Sequence, residues 1–171
     1  MFDTSHQMHS GDARDLGFLA DESVDLIVTS PPYPMIAMWD EVFRSLSPEA
    51  GRALDEGQGW LAFGRMHESL HLAWGEMVRV VRPGGIVAIN IGDATRTVGD
   101  RFSLYPNHAR VLTACTDLGL ESLPCIIWRK PTNSPTKFMG SGMLPGGAYV
   151  TLEHEYILIF RKKTSDTSGA D

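Results

Sequence analysis

The sequence predicts an α/β fold in which helices cover a mostly parallel sheet, and three observations predict it. Residues 24–29 and 86–91 are short apolar runs rich in β-branched side chains, the pattern of strands buried within a parallel sheet. Between them, Leu70, Trp74, Met77 and Val81 recur at steps of four, three and four, which lines one face of a helix. Strand and helix then alternate again toward the C-terminus, the order that layered α/β sheets require. A chain of 171 residues, 43% of them apolar, can bury one core, so one domain is expected.

Taken in order, residues 6–10 read as a short strand entering a turn at Gly11-Asp12-Ala13-Arg14, where glycine lets the backbone reverse and aspartate can cap the next segment. A brief helical turn is expected over 16–19. The strand over 24–29 stops at Ser30-Pro31-Pro32, because two imino acids cannot continue a ladder. Residues 35–46 suit a helix, and Ser47-Pro48 reads as a cap with proline at the first position of another. The helix over 66–81 ends at Arg82-Pro83-Gly84-Gly85, which turns the chain into the strand over 86–91 with Gly92-Asp93 at its tip. Residues 106–118 form a further helix, with Val111, Leu112, Cys115 and Leu118 on one face and Gly119 just past its end. Strands over 121–129 and 155–161 complete the sheet. Residues 130–153 carry prolines and glycines without a period and read as a loop. Residues 164–171 read as a disordered polar tail.

Composition excludes several classes. Cys115 and Cys125 lie in apolar stretches without metal-ligand or paired spacing, so neither zinc nor a disulfide framework is expected, and a reducing, cytoplasmic setting is. No apolar run approaches the roughly 20 residues of a membrane helix. The net charge of −6 disfavours bulk attraction to phosphates, so any nucleic-acid surface must gather basic groups locally. Arg129, Lys130 and Lys137, together with Arg161-Lys162-Lys163, offer such a rim, or an ordinary solvated surface.

The chemistry concentrates in Thr29-Ser30-Pro31-Pro32-Tyr33, a polar residue, two prolines and an aromatic ring placed directly after a buried strand. In α/β sheets ligands bind at the carboxyl ends of strands. Rigid prolines there can fix the Ser30 side chain and the Pro31 carbonyl as acceptors for an amine, with the Tyr33 ring beside them. Asn90 and Asp93 fall at a neighbouring strand end, where they serve either to orient Ser30 or as turn residues. His154-Glu155 suggests acid-base work or a hydrogen-bonded strand edge. Trp39 follows the proline corner and is expected near the cleft, whereas Trp60, Trp74 and Trp128 are expected to be packed or half-buried.

Thr29 to Tyr33 resembles the catalytic motif of the N4-cytosine and N6-adenine DNA methyltransferases, in the variant with serine first. Gly11-Asp12-Ala13 resembles the family's turn whose aspartate meets the cofactor's adenine, and Arg82-Pro83-Gly84-Gly85, Trp128-Arg129-Lys130 and His154-Glu155-Tyr156-Ile157-Leu158 resemble later landmarks, so the likeness spans residues 6–163. The resemblance implies a Rossmann-like fold dependent on S-adenosylmethionine and methyl transfer to the exocyclic amine of a base in DNA. It implies Ser30, Pro31, Pro32 and Tyr33 as catalytic residues, and Gly11, Asp12, Ala13 and Thr29 as cofactor contacts. Serine in first place points to cytosine N4, with adenine N6 as the alternative. A base inside a duplex cannot reach such a site, so it must flip out, with Tyr33 replacing part of its lost stacking.

The sequence also departs from the family. Only 29 residues precede Ser30, too few for an upstream cofactor half, so the order resembles the permuted group in which the catalytic half comes first. About five of seven strands are expected, with residues 1–163 forming a catalytic half. A continuation or a second chain would supply the rest; the other reading is a non-catalytic fragment or subunit. Phe138-Met139-Gly140-Ser141-Gly142 has the spacing of the family's cofactor loop, yet prolines on both sides leave no strand before it and no helix after it. Pro124-Cys125 resembles the pair that marks carbon-5 methylation, but a position inside an apolar strand points to packing.

Overall fold

The computed structural model describes residues 3–130 and 152–164. Strand β1 (Val24–Thr29) is followed by a 3-10 turn over Ala37–Trp39 and by helices α1 (Asp40–Leu46), α2 (Pro48–Asp55) and α3 (Gly59–Val80). Strand β2 (Val81–Ile91), the hairpin β3 (Ala94–Val98) and β4 (Arg101–Tyr105), helix α4 (Asn107–Asp117), β5 (Leu120–Arg129) and β6 (His154–Lys162) complete it. The main sheet has the order β1-β2-β6-β5. β1 and β2 are parallel, and β6 runs antiparallel to both β2 and β5. Three strands therefore share one direction, and β6, inserted between two of them, runs against it.

Local chemistry explains the helices. Ser47 caps α2, its hydroxyl accepting the Ala50 N–H at 3.2 Å, with Pro48 at the first helical position. α3 begins seven residues before the expected start, at Gly59, where a Cβ would lie 2.2 Å from the Tyr105 hydroxyl; only glycine admits that approach. Its stripe of Met66, Leu70, Trp74 and Met77 is buried, and the chain passes straight into β2 at Val81. The core joins that stripe to Val87, Ile89 and Ile91 of β2, Leu158 and Phe160 of β6, and Val111 and Cys115 of α4.

Among the described residues nothing covers the opposite face of the sheet. Val28, Ala88 and Ile159 lie in one row across β1, β2 and β6, and Leu26 and Ile86 lie in the next. Val28 is 73% and Leu26 56% exposed. β1 is thus parallel, as expected, but it is an edge strand rather than a buried one. The expected strand over 6–10 does not form: these residues are exposed and without regular structure, having no ladder partner among the described residues and little apolar surface to bury. The stretch 16–19 makes turns, with Leu19 N–H donating to the Leu16 carbonyl.

The hairpin of β3 and β4 was not expected. Its signal is nonetheless present, since Gly99-Asp100 separates two alternating runs and Gly99 takes φ +63°, as a two-residue hairpin turn requires. Cys125 is exposed, not packed, because β5 is the other sheet edge and its register shifts beside Pro124. Cys115 is the buried thiol, and burial pushes it up to about 12. Trp74 is buried, whereas Trp60 and Trp128 are each 47% exposed. The sequence Phe138–Gly142, most of the expected loop over 130–153 and nearly all of the 164–171 tail lie outside the described residues.

Candidate active site

The carboxyl ends of β1 and β2 lie beside the start of β6, and this juxtaposition brings the motif together with residues far away in sequence. Ser30 is exposed, Pro31 is buried, and the Tyr33 ring is half-buried, packed where a Cβ on Gly92 would meet it at 3.2 Å. The Tyr33 hydroxyl lies 3.2 Å from the Ser30 hydroxyl and donates to Glu155 Oε2 at 3.0 Å. Asn90 Nδ2 donates to Tyr33 Oη and to Glu155 Oε2, both at 2.7 Å. Lys130 Nζ donates to Glu155 Oε1 and lies 4.6 Å from the centre of the Trp128 ring. Burial pulls the Glu155 carboxyl upward, but hydrogen bonds from Lys130, Asn90 and Tyr33 outweigh it and hold the group below the usual carboxylate range. It is therefore an anion at neutral pH. Burial chiefly raises the Tyr33 phenol, and the adjacent carboxylate adds to this against a Ser30 hydrogen bond.

The loop after the motif is pinned from behind by Asn107, which is fully buried. Its amide donates to the carbonyls of Pro34 at 3.0 Å and Gly92 at 2.9 Å, while its oxygen lies 3.0 Å from His67 Nε2. Both ends of the amide are thus used, and the proline corner is fixed to the tip of β2. Burial drives His67 down to about 4, so it is neutral at pH 7 and can donate from Nε2. Asp93 belongs to a neighbouring network. It accepts the His108 N–H and contacts the His108 ring at 2.8 Å, and that ring stacks on Tyr156.

On the other side of Ser30 lies a cavity of about 550 Å³ lined by Gly11 to Arg14, Thr29 to Pro32 and the α3 residues Leu70, Trp74 and Met77, among others. Every residue that the family resemblance marked for cofactor binding or catalysis therefore lines this cavity, except Tyr33, which faces the Asn90 and Glu155 cluster. The N-terminal wall is tied to α3. Glu76 accepts the Leu16 N–H, and Arg79 donates to the carbonyls of Leu16 and Leu19. Asp12 is held by Arg14, whose side chain reaches both carboxylate oxygens and lowers its pKa. The volume and the largely apolar lining suit a small ligand with a flat ring. Trp74 Nε1 is buried without a partner among the described residues, a donor such a ligand could satisfy. Trp39 does not line this cavity; it packs partly buried against the core.

Sequence reasoning weighs Asn90 evenly between orienting and turn roles and treats Glu155 mainly as strand-edge structure. Asn107 has no signal beyond its place at a helix start.

Comparison with known proteins gives a consistent picture. Residues 24–169 match the family model of the N6/N4 DNA methylases. The type II methyltransferase M.MthZI of Methanothermobacter thermautotrophicus is 54% identical over 161 residues, covering 94% of this chain and 45% of the relative. M.MjaI, a type II methyltransferase of Methanocaldococcus jannaschii, is 47% identical over 170 residues, covering 93% of this chain and 56% of the relative. The chain thus spans about half the length of these relatives. A protein from Thermus thermophilus named as a putative DNA modification methylase, solved with S-adenosyl-L-methionine, superposes with a TM-score of 0.70 at 30% identity, over 98% of this chain and 59% of the other. The PvuII cytosine-N4-specific DNA methyltransferase shares the fold at 19% identity, with a TM-score of 0.62 over 91% of this chain and 50% of the other.

Proposed function

The chain belongs to the N6/N4 DNA methylase family, and from that premise we propose that it forms the base-receiving half of a DNA methyltransferase that methylates the exocyclic amine of a flipped base. The observation that carries the reading is the position of Ser30 between two compartments, the cavity on one side and the Tyr33, Asn90 and Glu155 cluster on the other. S-adenosylmethionine supplies an electrophilic methyl group when bound, and Gly11, Asp12, Ala13 and Thr29 would hold it. The fit rests on the cavity's size, its apolar lining and the unpartnered Trp74 Nε1.

The chain's own residues then handle the base. Its exocyclic amine is a poor nucleophile because the lone pair is delocalised into the ring. Ser30 Oγ and the Pro31 carbonyl accept the amine's hydrogens and draw the nitrogen toward a tetrahedral shape, at a position that the prolines and the Asn107 clamp keep fixed. Tyr33 offers an aromatic face to the extruded base. Alignment of amine and donor is the main catalytic contribution, and no covalent enzyme intermediate is needed. The serine at position 30 favours cytosine N4 over adenine N6.

The sheet face and β1 edge left exposed among the described residues support the view that a continuation or second chain supplies a cofactor-binding half, since α/β sheets of this class carry helices on both faces. Names of the relatives as type II methyltransferases support a place in restriction and modification. The test is incubation with duplex DNA and labelled S-adenosylmethionine, with and without the remaining half of the longer protein, followed by mass spectrometry of the nucleosides. N4-methylcytosine is expected. N6-methyladenine would transfer the reading to adenine, and unlabelled DNA under every condition would leave a non-catalytic subunit.

A further inference from the structure

We infer that Glu155 is a positioning residue whose carboxylate sets the direction of a hydrogen-bond chain through Tyr33, so that Ser30 meets the base as an acceptor. The inference rests on the methyl-transfer reading and adds to it a residue 125 positions from Ser30. The count of available protons fixes the direction. An ionised carboxylate can only accept. Glu155 Oε1 is occupied by Lys130, and Oε2 receives both Tyr33 Oη and Asn90 Nδ2. The tyrosine proton must therefore point at Glu155, since otherwise two acceptor oxygens would face each other at 3.0 Å. Tyr33 is then left with lone pairs for its other contacts. Asn90 donates into one from 2.7 Å, and Ser30, at 3.2 Å, donates into the other. The single serine proton is thereby directed inward, and the exposed Ser30 oxygen keeps lone pairs for an incoming N–H. Reversing the chain would spend one of the two Ser30 lone pairs on Tyr33 and release the serine proton toward the cleft, so that Ser30 meets an amine hydrogen as a weaker acceptor beside a free O–H.

Lys130 makes the direction reversible by substitution. In Glu155→Gln the ammonium keeps the amide oxygen, so the amide NH2 faces Tyr33 and Asn90 with no change in volume. Asn90 then loses its carboxylate acceptor, and with Asn90 Nδ2 still donating to Tyr33, Tyr33 accepts from the new amide and donates to Ser30. Adding Lys130→Met removes that constraint and lets the amide turn its oxygen back to Tyr33.

The experiment uses the full-length protein with duplex DNA. Steady-state and single-turnover methyl transfer are measured for wild type, Glu155→Gln and Glu155→Gln with Lys130→Met. In parallel, the Tyr33 phenol is titrated by carbon NMR of labelled tyrosine, with Tyr33→Phe as assignment. Expected for Glu155→Gln are a kcat reduced about tenfold or more, little change in KM for DNA, and a Tyr33 titration moved to lower pH by loss of the anion. The double variant is expected to recover part of kcat. A fallen kcat with an unmoved Tyr33 titration would overturn the inference in favour of a structural role. So would a moved titration with unchanged kcat, or a double variant no better than Glu155→Gln. A wild-type protein that transfers no methyl group would instead overturn the transfer reading, and the positioning role with it, whatever Tyr33 does.

Discussion

The two sides of Ser30 are built differently. Toward β2 and β6, Tyr33, Glu155 and Asn107 have their polar atoms paired, Asn90 leaves its buried Oδ1 without a partner among the described residues, and the proline corner is clamped to the β2 tip by a buried amide. Toward the cavity, the wall of Gly11 to Ala13 is exposed, Trp74 Nε1 lacks a partner among the described residues, and β1 shows Leu26 and Val28 to solvent. Buried polar groups hydrogen-bonded to one another within one fold hold each other in place. Exposed apolar rows on an edge strand are surfaces that ordinarily get covered. The contrast teaches that the corner proposed to handle the base is held by this chain's own contacts, while the side proposed for the cofactor is the more open one among the described residues.

The largest expected effect breaks the ordered side. Asn107→Leu would strand two buried carbonyls and His67, and should lower stability by about 3 kcal/mol or more, read by urea unfolding. An unfolding midpoint equal to that of wild type would show that the clamp does not hold the corner. The pH dependence of stability tests the same clamp. His67 sits near 4 in the folded chain against about 6.5 unfolded, so the unfolded state takes the proton first. Its contribution is fully present above about pH 6.5, and as pH falls toward 4 roughly 3 kcal/mol is lost. In His67→Phe this part of the slope should vanish.

Next in size, Ser30→Ala should lower kcat about 100-fold with little change in thermal stability, because the side chain is exposed and its proposed role lies in the reaction. Tyr33→Ala should weaken productive base placement, read as a larger KM for DNA alongside a lower kcat. The smallest effect in this chain alone belongs to the open side. Val28→Asp should shift stability by less than about 0.5 kcal/mol, since the residue is already exposed. It should nonetheless reduce the gain in S-adenosylhomocysteine affinity on adding the remaining half, measured by calorimetry. An undiminished gain would mean that the β1 face is not where that half docks.

Much of the fold is legible because its signals are local. The β1 run ending in two prolines, the Ser47-Pro48 cap, the stripe of α3 and the proline and glycine around α4 each depend on neighbours within a turn or two. Local signals also mislead. Residues 6–10 have a strand-like start but no ladder to join, and the apolar look of β5 implies burial that an edge strand does not provide. At Gly99-Asp100 the hairpin signal is weak against its polar surroundings, and only the pairing of β3 with β4 brings it out.

The sequence by itself determined the family, the layered α/β class and the corner from Thr29 to Tyr33, because a motif of two prolines after a strand has its geometry written into adjacent backbone dihedrals. Only the tertiary structure decided that Glu155, 122 residues from Tyr33, shares a hydrogen bond with it, and that Asn107 holds the corner from behind. Those pairings result from β6 being inserted beside β2 and from the helix start of α4 lying under the β2 tip. Strand order and packing set such contacts across the chain, and no run of neighbouring residues encodes them.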